Sequence, residues 1–144
     1  MEMDMASNSE LKTGINDLIM VTAADMAVLH NLRSYAPLRR ELERAVVVSS
    51  AAVPPDVATM NSRVSYTDDC DGLTRTVSLA YPAEADAAAG KVSILEPVGL
   101  ALLGLSVGQS IEWDFPDGSR RRLTLNQVQY QPERSHNTPL PLAP

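Results

Sequence analysis

Residues 92–113 constrain the fold of this chain more than any other stretch, because their hydrophobic pattern changes period twice. Apolar residues alternate in 92–94 and again in 111–113, and this spacing predicts two strands. Between them lies a short run, apolar on nearly every side, that starts at Pro97. Proline suits the first turn of a helix, where its missing N–H leaves no bond unmade. A helix with so few polar positions must be covered on most sides, so this strand–helix–strand module belongs to the core. Either Gly104 or Gly108 ends the short helix of this module.

The rest of the chain predicts further strands and an N-terminal helix. Thr22 and Asp25 form a start similar to a capping box, followed by apolar residues at helical spacing. The fold class predicted is α+β: a short N-terminal antiparallel helical hairpin, then a small antiparallel sheet with one short helix. The strands expected besides those of the module are 61–66, 74–81 and 123–130, the last joined to 111–115 by a Pro-Asp-Gly turn.

These elements predict five segments. Residues 1–16 are polar and without periodicity, which indicates a disordered tail. The helical hairpin occupies 17–48, and its first residues, 17–21, could pair as a strand or pack as a lead-in. The remaining segments are a linker at 49–60, the α+β domain at 61–133 and a disordered proline-containing tail at 134–144.

Composition excludes several classes of protein. The 144 residues carry a net charge of -6, which argues against a general electrostatic coat for DNA or RNA. A single cysteine, Cys70, permits no intrachain disulfide and fits a reducing compartment. The N-terminus lacks the pattern of a signal peptide, and no apolar run approaches the roughly 20 residues of a membrane helix. The sequence predicts a soluble, cytoplasmic protein without a membrane partner.

No residue cluster points to catalysis or to a cofactor. The acidic turn at 68–72 lacks the alternate ligands and the distal glutamate of a calcium loop. His30 and His136 with one cysteine make no metal set. The glycines punctuate a helix and a turn rather than form a phosphate loop. We therefore expect a protein that is not an enzyme, with no metal and no cofactor.

Three short motifs together resemble one family. They are Thr59-Met60-Asn61-Ser62, the run Pro97-Val98-Gly99-Leu100-Ala101-Leu102-Leu103-Gly104, and Tyr130-Gln131-Pro132-Glu133. In combination they resemble the C-terminal domain of the bacterial Gre transcript-cleavage factors, and within that superfamily the Rnk-like branch, named for regulation of nucleoside diphosphate kinase. The resemblance covers about half of the chain. It implies a fold like that of FK506-binding proteins.

The resemblance also implies a partner, RNA polymerase, contacted near the opening of its secondary channel. The contact of Gre factors lies at the strand-to-helix corner, which corresponds here to Glu96, Pro97, Val98 and Gly99. Gre factors usually carry serine where this chain has Glu96. Prolyl isomerase activity, suggested by the fold alone, would need an aromatic pocket that one Trp, one Phe and four Tyr do not predict.

The predicted tip of the hairpin separates this chain from a cleavage factor. Gre factors carry carboxylates at the tip of a long coiled coil, where hard oxygen ligands help to hold Mg²⁺. Residues 32–40 contain no Asp or Glu and three arginines, and both helices are short. We expect no stimulation of cleavage. The tip residues Arg33, Tyr35, Arg39 and Arg40 are either a solvated helix end or a contact to an acidic polymerase surface, or to DNA or RNA near the channel.

Two functional hypotheses follow. The first is a polymerase-binding elongation regulator that competes with Gre factors without stimulating cleavage. The second is a protein-interaction module that acts on nucleoside diphosphate kinase and nucleotide metabolism.

Overall fold

The computed structural model describes residues 19–137, so the predicted tail at 1–16 and residues 138–144 of the predicted tail at 134–144 lie outside the described residues. The described chain is a mixed α+β structure, as predicted. Its strands are β1 (Ile19–Thr22), β2 (Ala45–Val48), β3 (Arg63–Asp68), β4 (Leu73–Ala80), β5 (Lys91–Ser93), β6 (Ser110–Asp114) and β7 (Arg120–Tyr130). Its α-helices are α1 (Ala23–Leu29), α2 (Ala36–Glu43), α3 (Pro97–Leu102) and α4 (Pro132–Asn137).

The N-terminal part contains two short helices, as expected, and also two strands. A strand in the first of these places was one of the two alternatives for residues 17–21, whereas the second strand was not predicted. The Thr22 hydroxyl accepts the Asp25 N–H at 3.0 Å, which confirms the predicted cap of α1. A 3-10 turn follows α1 before α2 begins. Strand β1 pairs in parallel with β2, so residues 17–21 do include a strand. The antiparallel packing of the two helices stays a prediction.

The main sheet has five strands in the order β5-β4-β3-β7-β6. All five of its expected segments appear as strands within a few residues of where the alternation placed them. The prediction of a purely antiparallel sheet is wrong at one pair, because β4 and β5 run parallel. Residues 82–89 explain the difference: they form two 3-10 turns and return the chain to the same end of the sheet instead of closing a hairpin.

Helix α3 confirms the module at 92–113. Pro97 lies in its first turn, Glu96 is its N-cap residue and Leu103 its C-cap residue. Gly104 follows with a φ of +81°, so this glycine rather than Gly108 ends the helix. Leu100, Ala101 and Leu102 are all buried, in agreement with a helix covered on most sides.

One hydrophobic core joins the two halves of the chain. Ile19, Leu29 and Leu38 from the N-terminal part are fully buried in the same cluster as Leu79 and Leu125 of the sheet. Residues 49–60, expected as a linker, contain the buried Val53, Val57, Ala58, Thr59 and Met60. This burial could not be predicted from the sequence, because the prolines at 54 and 55 interrupt any strand or helix pattern around them.

The C-terminal end differs from the expectation of a tail that starts at residue 134. Residues 134–137 continue α4, which begins at Pro132. Glu133 in its first turn is buried and its carboxylate accepts the Thr59 hydroxyl at 2.7 Å. This bond ties α4 to the segment that leads into β3. Among the described residues, no helix is long and apolar enough to cross a membrane.

Candidate functional site

A groove of about 610 Å³ opens between α2, the start of α3 and the edge strand β6. Its floor and walls are rich in proline and aromatic side chains, and charged groups stand at its rim. The residues that line it are Tyr35, Pro37, Arg40, Glu41, Pro97, Leu100, Glu112, Trp113, Asp114, Phe115, Pro116 and Arg120.

The wall from α2 begins at its N-cap residue, Tyr35. Tyr35 has extended backbone, and Pro37 follows in the first turn, where it favours helical φ. Leu38 is fully buried and fixes α2 to the core, so Tyr35 and Arg40 are held at the groove. The Tyr35 side chain is 41% exposed, which leaves its ring available to a partner.

The wall from α3 is built by the strand-to-helix corner. Pro97 and Leu100 face the groove. Gly99 is buried, and a Cβ at this position would collide with the carbonyl oxygen of Ser93. Glycine is therefore required here for close packing of α3 on the preceding loop, and that packing sets where Pro97 stands.

The third wall is the edge strand β6 and the turn that follows it. Trp113 and Phe115 both pack partly against the core and also line the groove. The Arg121 guanidinium stacks over the Phe115 ring, 4.3 Å from its centre, and bonds the carboxylates of Asp68 and Asp117, each at 3.2 Å. These contacts hold the turn in one position.

The rim carries charges of both signs. Arg120 bonds Asp114 at 2.8 Å and Glu112 at 3.3 Å, and Arg122 bonds Glu112 at 3.0 Å. Hydrogen bonds from Arg122 and then Arg120 hold the pKa of Glu112 below its usual value, so this carboxylate stays ionised. Across the groove, Arg40 has no carboxylate partner within residues 19–137.

The structure brings together three of the residues that the sequence singled out, Tyr35, Arg40 and Pro97. Arg33 and Arg39 do not line the groove; each donates to a backbone carbonyl within the tip, His30 and Arg33 respectively. Glu96 is exposed beside the groove, whereas Val98 packs partly against the core and Gly99 is buried.

Sequence reasoning missed the wall from β6. The alternation of Ile111, Trp113 and Phe115 correctly indicated a core-facing strand. It could not show that β6 is the edge strand of the sheet, which leaves the outer side of Trp113 open to the groove. The only signal was the rarity of aromatic residues, since two of the six in the chain fall within three positions of each other here.

Comparison with known proteins identifies the family. The C-terminal domain described as "Transcription elongation factor, GreA/GreB, C-term" matches residues 53–130. The chain belongs to the GreA/GreB C-terminal family. It is 45% identical over 96 residues to the regulator of nucleoside diphosphate kinase of Escherichia coli strain K12, which covers 67% of this chain and 71% of that protein.

Two further relatives support this family. A transcription elongation factor GreA of Rhizobium leguminosarum bv. trifolii is 33% identical over 98 residues, 68% of this chain and 62% of that protein. The solved structure of a GreA/GreB elongation factor from Nitrosomonas europaea superposes with a TM-score of 0.62 at 38% identity. It covers 78% of this chain and 98% of that one.

The family match divides the groove. Pro97, Leu100 and the whole β6 wall lie inside residues 53–130, whereas Tyr35, Pro37 and Arg40 precede them. The groove therefore joins a wall shared with the GreA/GreB family to a wall supplied by the helices before the matched domain.

Proposed function

We propose that this member of the GreA/GreB family is a non-catalytic regulator of transcription elongation that binds RNA polymerase through the groove and competes with Gre factors. One observation carries the proposal. Pro97, from the corner that resembles the polymerase contact of Gre factors, lines the same groove as Tyr35 and Arg40 from the predicted hairpin tip, so a single surface can contact the polymerase with residues of both.

The composition of the groove suits a protein partner. Tyr35, Trp113 and Phe115, with three prolines, form an apolar centre, and Arg40, Glu112 and Arg120 stand around it. Protein interfaces commonly combine an apolar, aromatic-rich centre with a polar rim, and arginine and aromatic residues carry much of their affinity. The exposed ring of Tyr35 and the charge of Arg40, which no carboxylate among residues 19–137 pairs with, are the groups of the groove most free to engage a partner.

The tip supports binding without cleavage. Helices of seven and eight residues are only about 10 to 12 Å long, at about 1.5 Å per residue, too short to reach far into a channel. The nearest carboxylates along α2 are engaged, Glu41 with Arg44 at 2.8 Å and Glu43 with Arg39 at 3.9 Å. The tip thus offers arginines where a Mg²⁺ site needs free oxygen ligands.

Binding to core RNA polymerase tests the proposal. We expect the wild-type protein to bind immobilised polymerase, and Pro97→Arg to weaken this at least tenfold by placing a long charged side chain at the centre of the groove. Pro55→Arg, an exposed proline outside the groove, is the matched control and should bind as the wild type does. Equal binding of both variants, with circular dichroism showing both folded, would contradict the assignment of the surface.

The second candidate function is control of nucleoside diphosphate kinase. The name of the 45% identical Escherichia coli relative favours it. Titration of purified kinase with this protein, in the absence of polymerase, separates the two functions. A change in kinase rate that Pro97→Arg leaves intact would favour a direct effect on the kinase.

A further inference from the structure

A second recess, of about 500 Å³, is lined by residues of β3, β4, β7 and β5, and β5 is the edge strand opposite β6. None of the residues that line it belongs to the groove described above. They are Asn61, Arg63, Ser78, Leu79, Ala80, Glu84, Lys91 and Tyr130. Neither the family match nor the names of the relatives assign a role to this recess.

The sheet register places four of these residues in one row. Tyr130 on β7 is paired with Arg63 on β3, Arg63 with Ser78 on β4, and Ser78 with Lys91 on β5. Adjacent strands lie about 4.8 Å apart, so the row spans about 14 Å. Its order is an aromatic ring, a cation, a hydroxyl and a second cation.

The polar side chains of the recess are not engaged elsewhere. Within residues 19–137, the side chains of Arg63, Ser78, Lys91 and Glu84 have no hydrogen-bond or ion-pair partner. This differs from the rest of the described chain, where six arginines pair with carboxylates: Arg39, Arg44, Arg75, Arg120, Arg121 and Arg122. In a protein of net charge -6, the two cations on either side of Ser78, without partners among the described residues, outnumber the one carboxylate of the recess, Glu84, and make this patch locally positive.

Asn61 adds a backbone feature at the same place. It has a φ of +69° and is the only residue other than glycine in the left-handed region within the described part of the chain. Its N–H donates to the carbonyl of Leu79 at 2.8 Å, and this bond fixes the turn against the floor of the recess. The turn holds the Asn61 amide at the rim beside Arg63.

We propose that this recess binds a nucleotide. The phosphate would lie over Ser78 between Arg63 and Lys91, where two charge-assisted bonds and a hydroxyl bond meet it. The base would stack on Tyr130, whose side chain is 49% exposed. The Glu84 carboxylate would accept hydrogen bonds from the ribose hydroxyls, as acidic residues do in dinucleotide sites.

The size and shape favour a free nucleotide over a nucleic acid chain. A volume of about 500 Å³ lies within the range of about 300–1,000 Å³ that is usual for small-molecule sites. Among the described residues, two cations without partners line the recess, which suits one phosphorylated ligand better than the series of phosphates along a strand. The inference does not depend on binding to polymerase, because the two sites share no residue.

Calorimetric titration of the full chain with GDP and with ADP tests the site. We expect saturable binding of at least one nucleotide, weaker binding of guanosine and of inorganic phosphate alone, and loss of about tenfold in affinity for Arg63→Gln and for Lys91→Gln. Tyr130→Ala should weaken nucleotide binding but not phosphate binding. Arg75→Gln is the matched control, since it removes an exposed cation from the same strand as Ser78 outside the recess.

Several results would overturn the proposal. They are the absence of saturable binding at millimolar nucleotide, an Arg75→Gln variant that loses as much affinity as Arg63→Gln, and binding of an eight-residue single-stranded RNA without binding of either mononucleotide. Circular dichroism of each variant shows whether it is folded, and a loss of affinity counts for the proposal only in a variant that is folded.

Discussion

The carboxylate of Asp25 accepts the backbone N–H of Met60 at 3.2 Å and thereby joins helix α1 to the segment that leads into the main sheet. Its other oxygen lies 3.4 Å from the Tyr81 hydroxyl, which donates to it. Glu133 of α4 contributes a second carboxylate nearby. Four parts of the chain that are distant in sequence therefore meet at one half-buried acid.

This acid predicts an unusual pH dependence of stability. Burial, together with the charge of Glu133, raises the pKa of Asp25 to about 6. The folded state then binds a proton that the unfolded state has released, so this group stabilises the fold at low pH and the stabilisation is lost as pH rises through about 6. We expect a decrease of about 1–2 kcal/mol between pH 4 and pH 7, reduced by the partial exposure of the side chain.

Urea unfolding at several pH values, with Asp25→Asn as the comparison, measures the effect. Asparagine keeps an acceptor for the Met60 N–H and can donate to the Tyr81 oxygen, but it does not titrate. The difference in unfolding free energy between the wild type and the variant should change progressively between pH 3.8 and about 6, the ordinary and the raised pKa of this carboxyl group, and be constant at higher pH. A difference that is constant from pH 4 to pH 8 would show that Asp25 has an ordinary pKa.

Gly104 provides a second prediction, on the contact between the N-terminal strand and the core. A Cβ built on Gly104 would lie 2.5 Å from the Cβ of Ile19, and the Gly104 carbonyl accepts the Met20 N–H at 3.2 Å. We expect Gly104→Ala to lower the unfolding free energy by roughly 3 kcal/mol through this collision and the positive φ.

Gly108 is the matched control for that substitution. Its φ is +90°, but a Cβ there would meet nothing within 4 Å. Gly108→Ala should therefore cost only the backbone term, about 1 kcal/mol. Chemical denaturation of both variants gives the comparison. If the two losses are equal, the collision with Ile19 contributes nothing and the β1 contact adapts.

Local patterns in the sequence predicted most of the main sheet and its helix. Alternation located the strands, and Pro97 marked the start of α3 because proline has a specific effect on the first helical turn. The parallel pairing of β4 and β5 was missed, because a link of nine residues rich in alanine carries no signal for the direction of the next strand. The pairing of Ala45–Val48 with β1 was also missed, since it depends on a contact across two helices.

The site was predicted in pieces. The resemblance located Pro97, and the run of arginines drew attention to Tyr35 and Arg40. These residues share a groove because α2 packs on the core through Leu38. Trp113 lines the groove because β6 is at the edge of the sheet. Neither fact is encoded in a local pattern. The row from Tyr130 to Lys91 depends in the same way on register across four strands.

A third prediction concerns Tyr35, the exposed ring of the groove. Tyr35→Ala should leave stability within about 0.5 kcal/mol of the wild type, since this side chain is 41% exposed. On the proposed function it should weaken polymerase binding about tenfold, as the loss of an aromatic residue at the centre of an interface commonly does. Tyr130→Ala, with a comparably exposed ring outside the groove, should bind polymerase normally. Equal effects of the two variants would argue against the groove.

The last prediction concerns the activity of the bound complex. Wild-type protein added to stalled elongation complexes should leave transcript lengths unchanged, because residues 32–40 present arginines and no carboxylate to a Mg²⁺ ion. On the proposed function, the protein added together with a Gre factor should slow cleavage in proportion to its concentration. A higher concentration of the Gre factor should then restore the rate, as competition for one surface requires. The Pro97→Arg variant should not slow it. Shortened transcripts with this protein alone would contradict the absence of cleavage activity, and slowing that no excess of Gre factor relieves would mean that the two proteins do not share a surface.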